Sequence, residues 1–213
     1  MKSIVCTTLG EPSLLEVKEV TLPSLGEDDV LVKVQAAGVN FPDALLVQGK
    51  YQIVIDPPFT PGNEVCGLIE DVGSNVNIPV GTKVICLPPV GGFAEYVAVN
   101  KNLIIPVNDD FDSLAGASLP INYGTAYYAL KRRADASNGE SLLVLGASGG
   151  IGTASIQLAK IMGLKTLCAV GSDEKEDYVK SLGADEIIRY DREPLKETVK
   201  ELTNGLGVDI VTI

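Results

Sequence analysis

The residues of this chain best placed to do chemistry are Gly146-Ala147-Ser148-Gly149-Gly150-Ile151-Gly152. Glycine has no Cβ, so Gly149, Gly150 and Gly152 let the backbone turn sharply and come within contact distance of a ligand. The apolar run Leu142 to Leu145 before them reads as a buried parallel strand. After them Ala154, Ile156, Leu158, Ala159 and Met162 recur at helical spacing, with Gly163 as a natural stop. A helix opening on such a turn directs unpaired N–H groups and its positive dipole end outward, which suits a pyrophosphate. Strand, glycine turn, helix and a second strand over Lys165 to Val170 are the context a dinucleotide fingerprint requires. The expected cradle is Ala147, Ser148, Gly149, Gly150, Ile151 and Gly152. It departs from G-x-G-x-x-G once: aligned on Gly149 and Gly152, the first glycine position holds Ala147, with Gly146 one step earlier.

What is missing narrows the chemistry. The chain has no histidine, which removes an imidazole base, a Ser-His-Asp triad and histidine metal ligands. Cys6, Cys66, Cys86 and Cys168 lie scattered among apolar residues without a C-x-x-C pair. That is the pattern of buried reduced thiols, not of disulfides or a metal cage. Any reaction must draw on a cofactor, on tyrosine or lysine, or on carboxylates. A net charge of −11 argues against non-specific binding to nucleic acid or anionic membrane. No segment approaches the length of a membrane span, and Met1 to Cys6 lacks the apolar core of a signal peptide. The expected setting is the cytoplasm, with no nucleic-acid or membrane partner.

The elements that must position these residues follow from the patterns around them. Before residue 110 the chain reads as short strands and Gly/Pro turns, the signature of a small barrel-like β domain. Its strands are expected near Val30 to Gln35, Val65 to Val72, Lys83 to Leu87 and Phe93 to Val99, with Gly67 at a bulge or close approach. One short helix is expected over Asp43 to Val47, with Asp43 as its cap. Helices follow over Asp110 to Leu119, capped by Asp112 or Ser113, and over Tyr123 to Arg133. Beyond them strands and helices alternate through Glu186 to Ile188, Pro194 to Leu202 and Val208 to Ile213, which predicts a parallel sheet. The expected domains are 1–122 and 123–213. Four strands of a doubly wound sheet would leave the fourth as a bare edge, so the chain is expected to be a fragment, a truncated isoform or half of an assembly.

Five ordered motifs carry a resemblance. Ala37-Gly38-Val39-Asn40-Phe41-Pro42-Asp43, Pro61-Gly62-Asn63-Glu64-Val65-Cys66-Gly67, Gly92-Phe93-Ala94-Glu95-Tyr96-Val97, Tyr123-Gly124-Thr125-Ala126-Tyr127 and the glycine loop occur in that sequence. Together they resemble the zinc-free quinone oxidoreductases (zeta-crystallin type) of the medium-chain dehydrogenase/reductase superfamily, whose members are longer. The resemblance implies an α/β chain: a GroES-like β-rich domain, then part of a Rossmann domain, with a nicotinamide between them and a homodimer as the full-length form. Zinc-dependent relatives have cysteine where this chain has Asn40 and histidine where it has Asn63. An amide is a poor zinc ligand beside thiolate or imidazole, so no metal is expected.

An NAD site wants an acidic residue at the end of the second Rossmann strand, to hold the ribose 2′-OH. That position here is Val170, followed by Gly171 and Ser172, and Asp173 is expected to cap the next helix. Lys175, one helical turn in, is placed to meet a 2′-phosphate, and Tyr190 to flank the adenine ribose, so NADPH is the expected cofactor. The bland alternative for Lys175 is a solvated helix lysine. By family analogy Asn40 donates to substrate or nicotinamide ribose, Tyr51 supplies a proton or shapes the pocket, and Thr125 contacts the nicotinamide. From spacing alone, Asn40 makes a turn, Tyr51 is a loop aromatic and Thr125 packs in a helix. The expected reaction is hydride transfer to a quinone, in which orientation supplies much of the rate. The alternatives are an enoyl or alkenal/enone reductase and a non-catalytic NADPH-binding protein.

Overall fold

The computed structural model describes residues 1–212 of the chain. They form two compact units, Met1–Ile121 and Asn122–Ile213. In the first, β1 (Lys2–Val5) and β2 (Glu16–Glu19) pair as an antiparallel ribbon. β3 (Asp29–Ala37), β4 (Val65–Val72), β5 (Lys83–Cys86), β6 (Tyr96–Asn100) and β7 (Ile104–Pro106) make an antiparallel sheet in the order β6-β3-β4-β5-β7. Val30, Val32, Val65, Ile69, Val84 and Val97 fill one face of it, each such side chain contributing about 1.5–3 kcal/mol on burial. Cys66, Ile85 and Ala117 pack with Phe111 in a second cluster. α1 (Phe41–Val47) and α2 (Ser113–Gly116) complete the unit.

Gly67 pairs with Val34 where the β3–β4 register slips. A Cβ there would lie 2.2 Å from the Lys33 carbonyl oxygen, so the residue serves both a bulge and a close approach.

The second unit takes in the rest of α3 (Pro120–Tyr127), which runs on into a widened π-type segment over Tyr128–Arg133. There the Ala134 N–H reaches back five residues to the Ala129 carbonyl at 2.9 Å. Then come β8 (Ser141–Val144), α4 (Gly150–Met162), β9 (Lys165–Val170), α5 (Asp173–Ser181), β10 (Glu186–Arg189), α6 (Leu195–Leu202) and β11 (Ile210–Thr212). The strands are parallel in the order β10-β9-β8-β11, which is 3-2-1-4 of a doubly wound sheet. β8 sends Leu142 and Val144 into a core with Ile156, Cys168 and Val170. Its Leu143 joins Leu167, Ala169, Ile188 and Val199 in another. Burial on both faces is why the strand reads as an unbroken apolar run. The architecture is the expected one, a GroES-like β-rich unit followed by part of a Rossmann sheet.

Several boundaries differ from expectation. The helix expected over Asp110 to Leu119 shrinks to Ser113–Gly116, because Pro120 disfavours helical geometry at Leu119 and opens α3 itself. Asp112 caps α2, accepting from the Leu114 and Ala115 N–H groups at 3.2 and 3.3 Å. The strand expected from Phe93 begins only at Tyr96, and β2 and β7 lie outside the expected strand ranges. The last strand is Ile210–Thr212; Ile213 lies outside the described residues. Gly163 closes α4 as expected, at φ 73°.

Gly67→Ala is expected to lower the urea midpoint of unfolding by an equivalent of roughly 1–3 kcal/mol, because the added methyl overpacks against backbone that cannot rotate away. A midpoint equal to wild type would show that β3 and β4 do not need this approach.

Candidate functional site

The sequence Val39-Asn40-Phe41-Pro42-Asp43 ends β3 and opens α1, with Asn40 as the N-cap and Pro42 in the first turn. Asp43 sits at the third helical position rather than the cap, and the two residues form a capping box. The Asn40 N–H donates to Asp43 Oδ2 at 2.8 Å. The Asn40 side chain is held as well: its Nδ2 donates to Glu64 Oε2 at 3.0 Å. Glu64 is fully buried, and its other oxygen accepts the Ile121 N–H at 2.7 Å. Burial pushes the Glu64 carboxyl above its ordinary range against the pull of both donors, and the nearby Asp43 carboxylate pushes the same way. Asp43 is itself raised by burial. Neither carboxyl is paired with a cation among the described residues. Asn40 is thus held by two buried acids, its backbone N–H by Asp43 and its carboxamide by Glu64.

Tyr51 is half-buried and packs beside Leu46 and Val47 of α1. With Asp43, Ile53, Ile55, Asn63 and Pro89 it lines a pocket of about 80 Å³. The Asn63 Oδ1 is buried and has no hydrogen-bond partner among the described residues. Such an oxygen calls for a donor, and the pocket admits a water or the polar edge of a ligand, not a whole ring system. Asp43 links this pocket to Asn40, so the structure brings Asn40 and Tyr51 to one neighbourhood of the first unit.

In the second unit the glycine loop joins β8 to α4. Ala147 is fully buried, its N–H reaching toward the Ala169 carbonyl at 3.4 Å. Gly149 is the N-cap of α4 and, lacking a side chain, supplies no cap itself, while the Asn122 carboxamide stands against Gly150. The first-turn N–H groups of Gly150, Ile151 and Gly152 therefore face an anion-ready site, with Ser148 half-buried beside them. A Cβ at Gly152 would stand 2.6 Å from the Gly146 carbonyl oxygen and 2.7 Å from Ala147 Cα. Only glycine lets the helix start this close to the turn, whereas the position held by Ala147 accepts a methyl inside the core.

Beyond β9, Ser172 rather than Asp173 is the N-cap of α5, its Oγ accepting the Lys175 N–H at 3.3 Å. Serine is the better cap because it can turn back while Asp173 already has helical backbone. Lys175 is exposed. The Tyr190 hydroxyl lies 2.7 Å from where a Cβ would stand on Gly171, so Gly171, Ser172, Lys175 and Tyr190 share one corner. Thr125 is exposed on α3. All four cysteines are free and buried, and burial holds the Cys86 and Cys168 thiols up at about 12, which excludes them as thiolate nucleophiles. Among the described residues no three His, Cys, Asp or Glu side chains cluster as a metal site would need.

Two groups escape a reading of the sequence. Glu64 has a faint signal, an acid directly before the apolar run Val65-Cys66 that enters the core. Arg189, buried at the end of β10 among Asp173, Glu176 and Asp191, has none beyond a charge closing an apolar strand.

Family models match both units: the alcohol dehydrogenase GroES-like domain over residues 26–109 and the zinc-binding dehydrogenase domain over residues 150–213. A quinone oxidoreductase of Rattus norvegicus is 37% identical over 214 residues, covering 99% of this chain and 65% of its own length. The chain thus spans just under two thirds of that relative. A probable oxidoreductase from Mycobacterium abscessus superposes with a TM-score of 0.92 at 41% identity, covering 99% of this chain and 68% of that one. The quinone oxidoreductase from Thermus thermophilus, solved alone and in complex with NADPH, superposes with a TM-score of 0.85 at 37% identity, covering 99% and 65%. With the fold, the glycine loop and these similarities in agreement, the chain belongs to the medium-chain dehydrogenase/reductase superfamily and is quinone oxidoreductase-like.

Proposed function

We propose that this chain binds NADPH and carries out hydride reduction of a quinone without a metal, in the cytoplasm and as a homodimer. The observation that carries the reading is the glycine-capped first turn of α4 at a loop where Gly152 admits no side chain. Its residues fit a dinucleotide: three consecutive backbone N–H groups for a pyrophosphate, and beside them a serine, a lysine and a tyrosine where an NAD site would place an acid. The relatives' names and the NADPH complex of the Thermus thermophilus protein support the same choice.

When bound, NADPH supplies the hydride. The chain's own residues supply everything else. Ala147 to Gly152 hold the pyrophosphate, while Gly171, Ser172, Lys175 and Tyr190 receive the adenine ribose and its phosphate. Asn40, its carboxamide fixed by Glu64, keeps one amide N–H for a ligand oxygen. Tyr51 offers a phenol O–H to the acceptor's oxygen, by hydrogen bond or proton transfer, and Thr125 lies on the nicotinamide side. Holding the two reactants in register is the main contribution, since no histidine or metal takes part.

The test is NADPH oxidation by the purified 213-residue chain with 9,10-phenanthrenequinone and with a medium-chain enone. Turnover with the quinone is expected, and Asn40→Ala or Tyr51→Phe should each lower kcat/KM by roughly 10- to 100-fold. Turnover with the enone alone identifies a double-bond reductase. NADPH binding without turnover on either acceptor identifies a non-catalytic binder.

The grip on Asn40 has a pH signature. A carboxyl whose folded pKa is raised binds more protons folded than unfolded, so its contribution to stability is lost as pH rises through that raised value. Wild type, compared with Glu64→Gln by urea unfolding, should therefore be relatively more stable near pH ~5 than near pH ~7.5. An offset that does not change with pH would mean that Glu64 is ionised at no cost.

A further inference from the structure

The corner where β9 and β10 end holds an ion network that the reaction does not use. Arg189 is buried and saturated with carboxylates. Its Nε and Nη2 each donate to Asp191 at 2.9 Å, and its Nη1 donates to Glu176 at 2.9 Å and to Asp173. Arg192 is different: its side chain is 58% exposed, and its Nη2 alone donates to Asp173, at 2.8 and 2.9 Å. Its Nε is 3.8 Å from Asp191, too far for a hydrogen bond. Asp173 therefore has two arginine partners, one buried and one exposed. It can release the exposed one without being left as a bare carboxylate.

We propose that Arg192 is a specificity residue for a ribose 2′-phosphate, held in waiting on Asp173 and transferred to the phosphate when the nucleotide binds. The inference rests on the NADPH reading above and deepens it. Asp173 directly follows Gly171 and Ser172, and Tyr190, two residues before Arg192, lays its hydroxyl against Gly171. Both strand ends thus meet at the place assigned to the adenine ribose. Asp173, Glu174 and Glu176 crowd the first turn of α5, with Asp177, Asp191 and Glu193 nearby in sequence. These six acids outnumber Lys175, Arg189 and Arg192, so the corner as a whole repels a phosphate dianion. Arg192 turning outward leaves that total unchanged but puts a second cation beside Lys175 in direct contact with the phosphate. The exchange is favourable because an exposed arginine–carboxylate pair is worth little in water, whereas a guanidinium fork matches phosphate and meets more charge there.

The test is calorimetric titration of NADPH and NADH into the full chain as wild type, Arg192→Gln and Asp173→Asn. Arg192→Gln should weaken NADPH by about tenfold while leaving NADH within about twofold, the loss of one charge-assisted contact. Asp173→Asn, which frees Arg192, should tighten NADPH several-fold, and added salt should narrow the wild-type preference more than that of Arg192→Gln. Arg192 lies on the surface, so its variant is expected to fold, and its unchanged NADH affinity reports that it has. A Kd ratio of NADH to NADPH unaltered in Arg192→Gln overturns the proposal while leaving the cofactor reading intact. Wild type that binds neither nucleotide overturns both.

Discussion

A buried carboxylate with no cation beside it is costly, and the organisation of the first unit depends on one. Glu64 accepts one hydrogen bond at each oxygen, from the Asn40 side chain and from the Ile121 backbone. Those two donors stand in for the water it lost. In return the carboxylate ties the turn into α1, the start of β4 and the start of α3 to one point. Asn40 is held twice, its carboxamide by Glu64 and its backbone N–H by Asp43. The carboxamide proposed to aim its remaining N–H at a ligand is thus fixed from behind by a buried acid.

The second unit solves the complementary problem with backbone. β8 is packed on both faces, so the loop after it has a rigid base. Gly152 then permits α4 to start against that base, with a glycine rather than a side-chain cap at its head. At the far corner, Arg189 bridges three acids that would otherwise repel each other. Arg189 keeps that corner folded; Arg192, on the surface, is the part free to respond to a ligand.

How much of this can be read in the sequence depends on how local each signal is. The glycine loop is legible because strand, turn and helix lie within about twenty residues and their patterns are short-range. The 3-2-1-4 sheet follows from strand–helix alternation. The helix before Pro120 is shorter than expected because its apolar pattern outlasts what the proline permits. Glu64 is not legible as a site residue, since its partners are 24 and 57 residues away and only the fold brings them together. The roles of Asn40 and Tyr51 come from motif resemblance, because their spacing alone suggests a turn and a loop aromatic. Ser172 takes the capping role expected of Asp173, and Asp173 is thereby left for the arginines.

In the proposed reading the loop and the α5 corner together make a site for a phosphorylated dinucleotide. The pair of dissociation constants of the wild-type chain for NADPH and NADH, taken in the same buffer by titration calorimetry, tests this. Saturable binding of both is expected, with NADPH the tighter. NADH binding more tightly than NADPH, or no saturable heat from either, would contradict it.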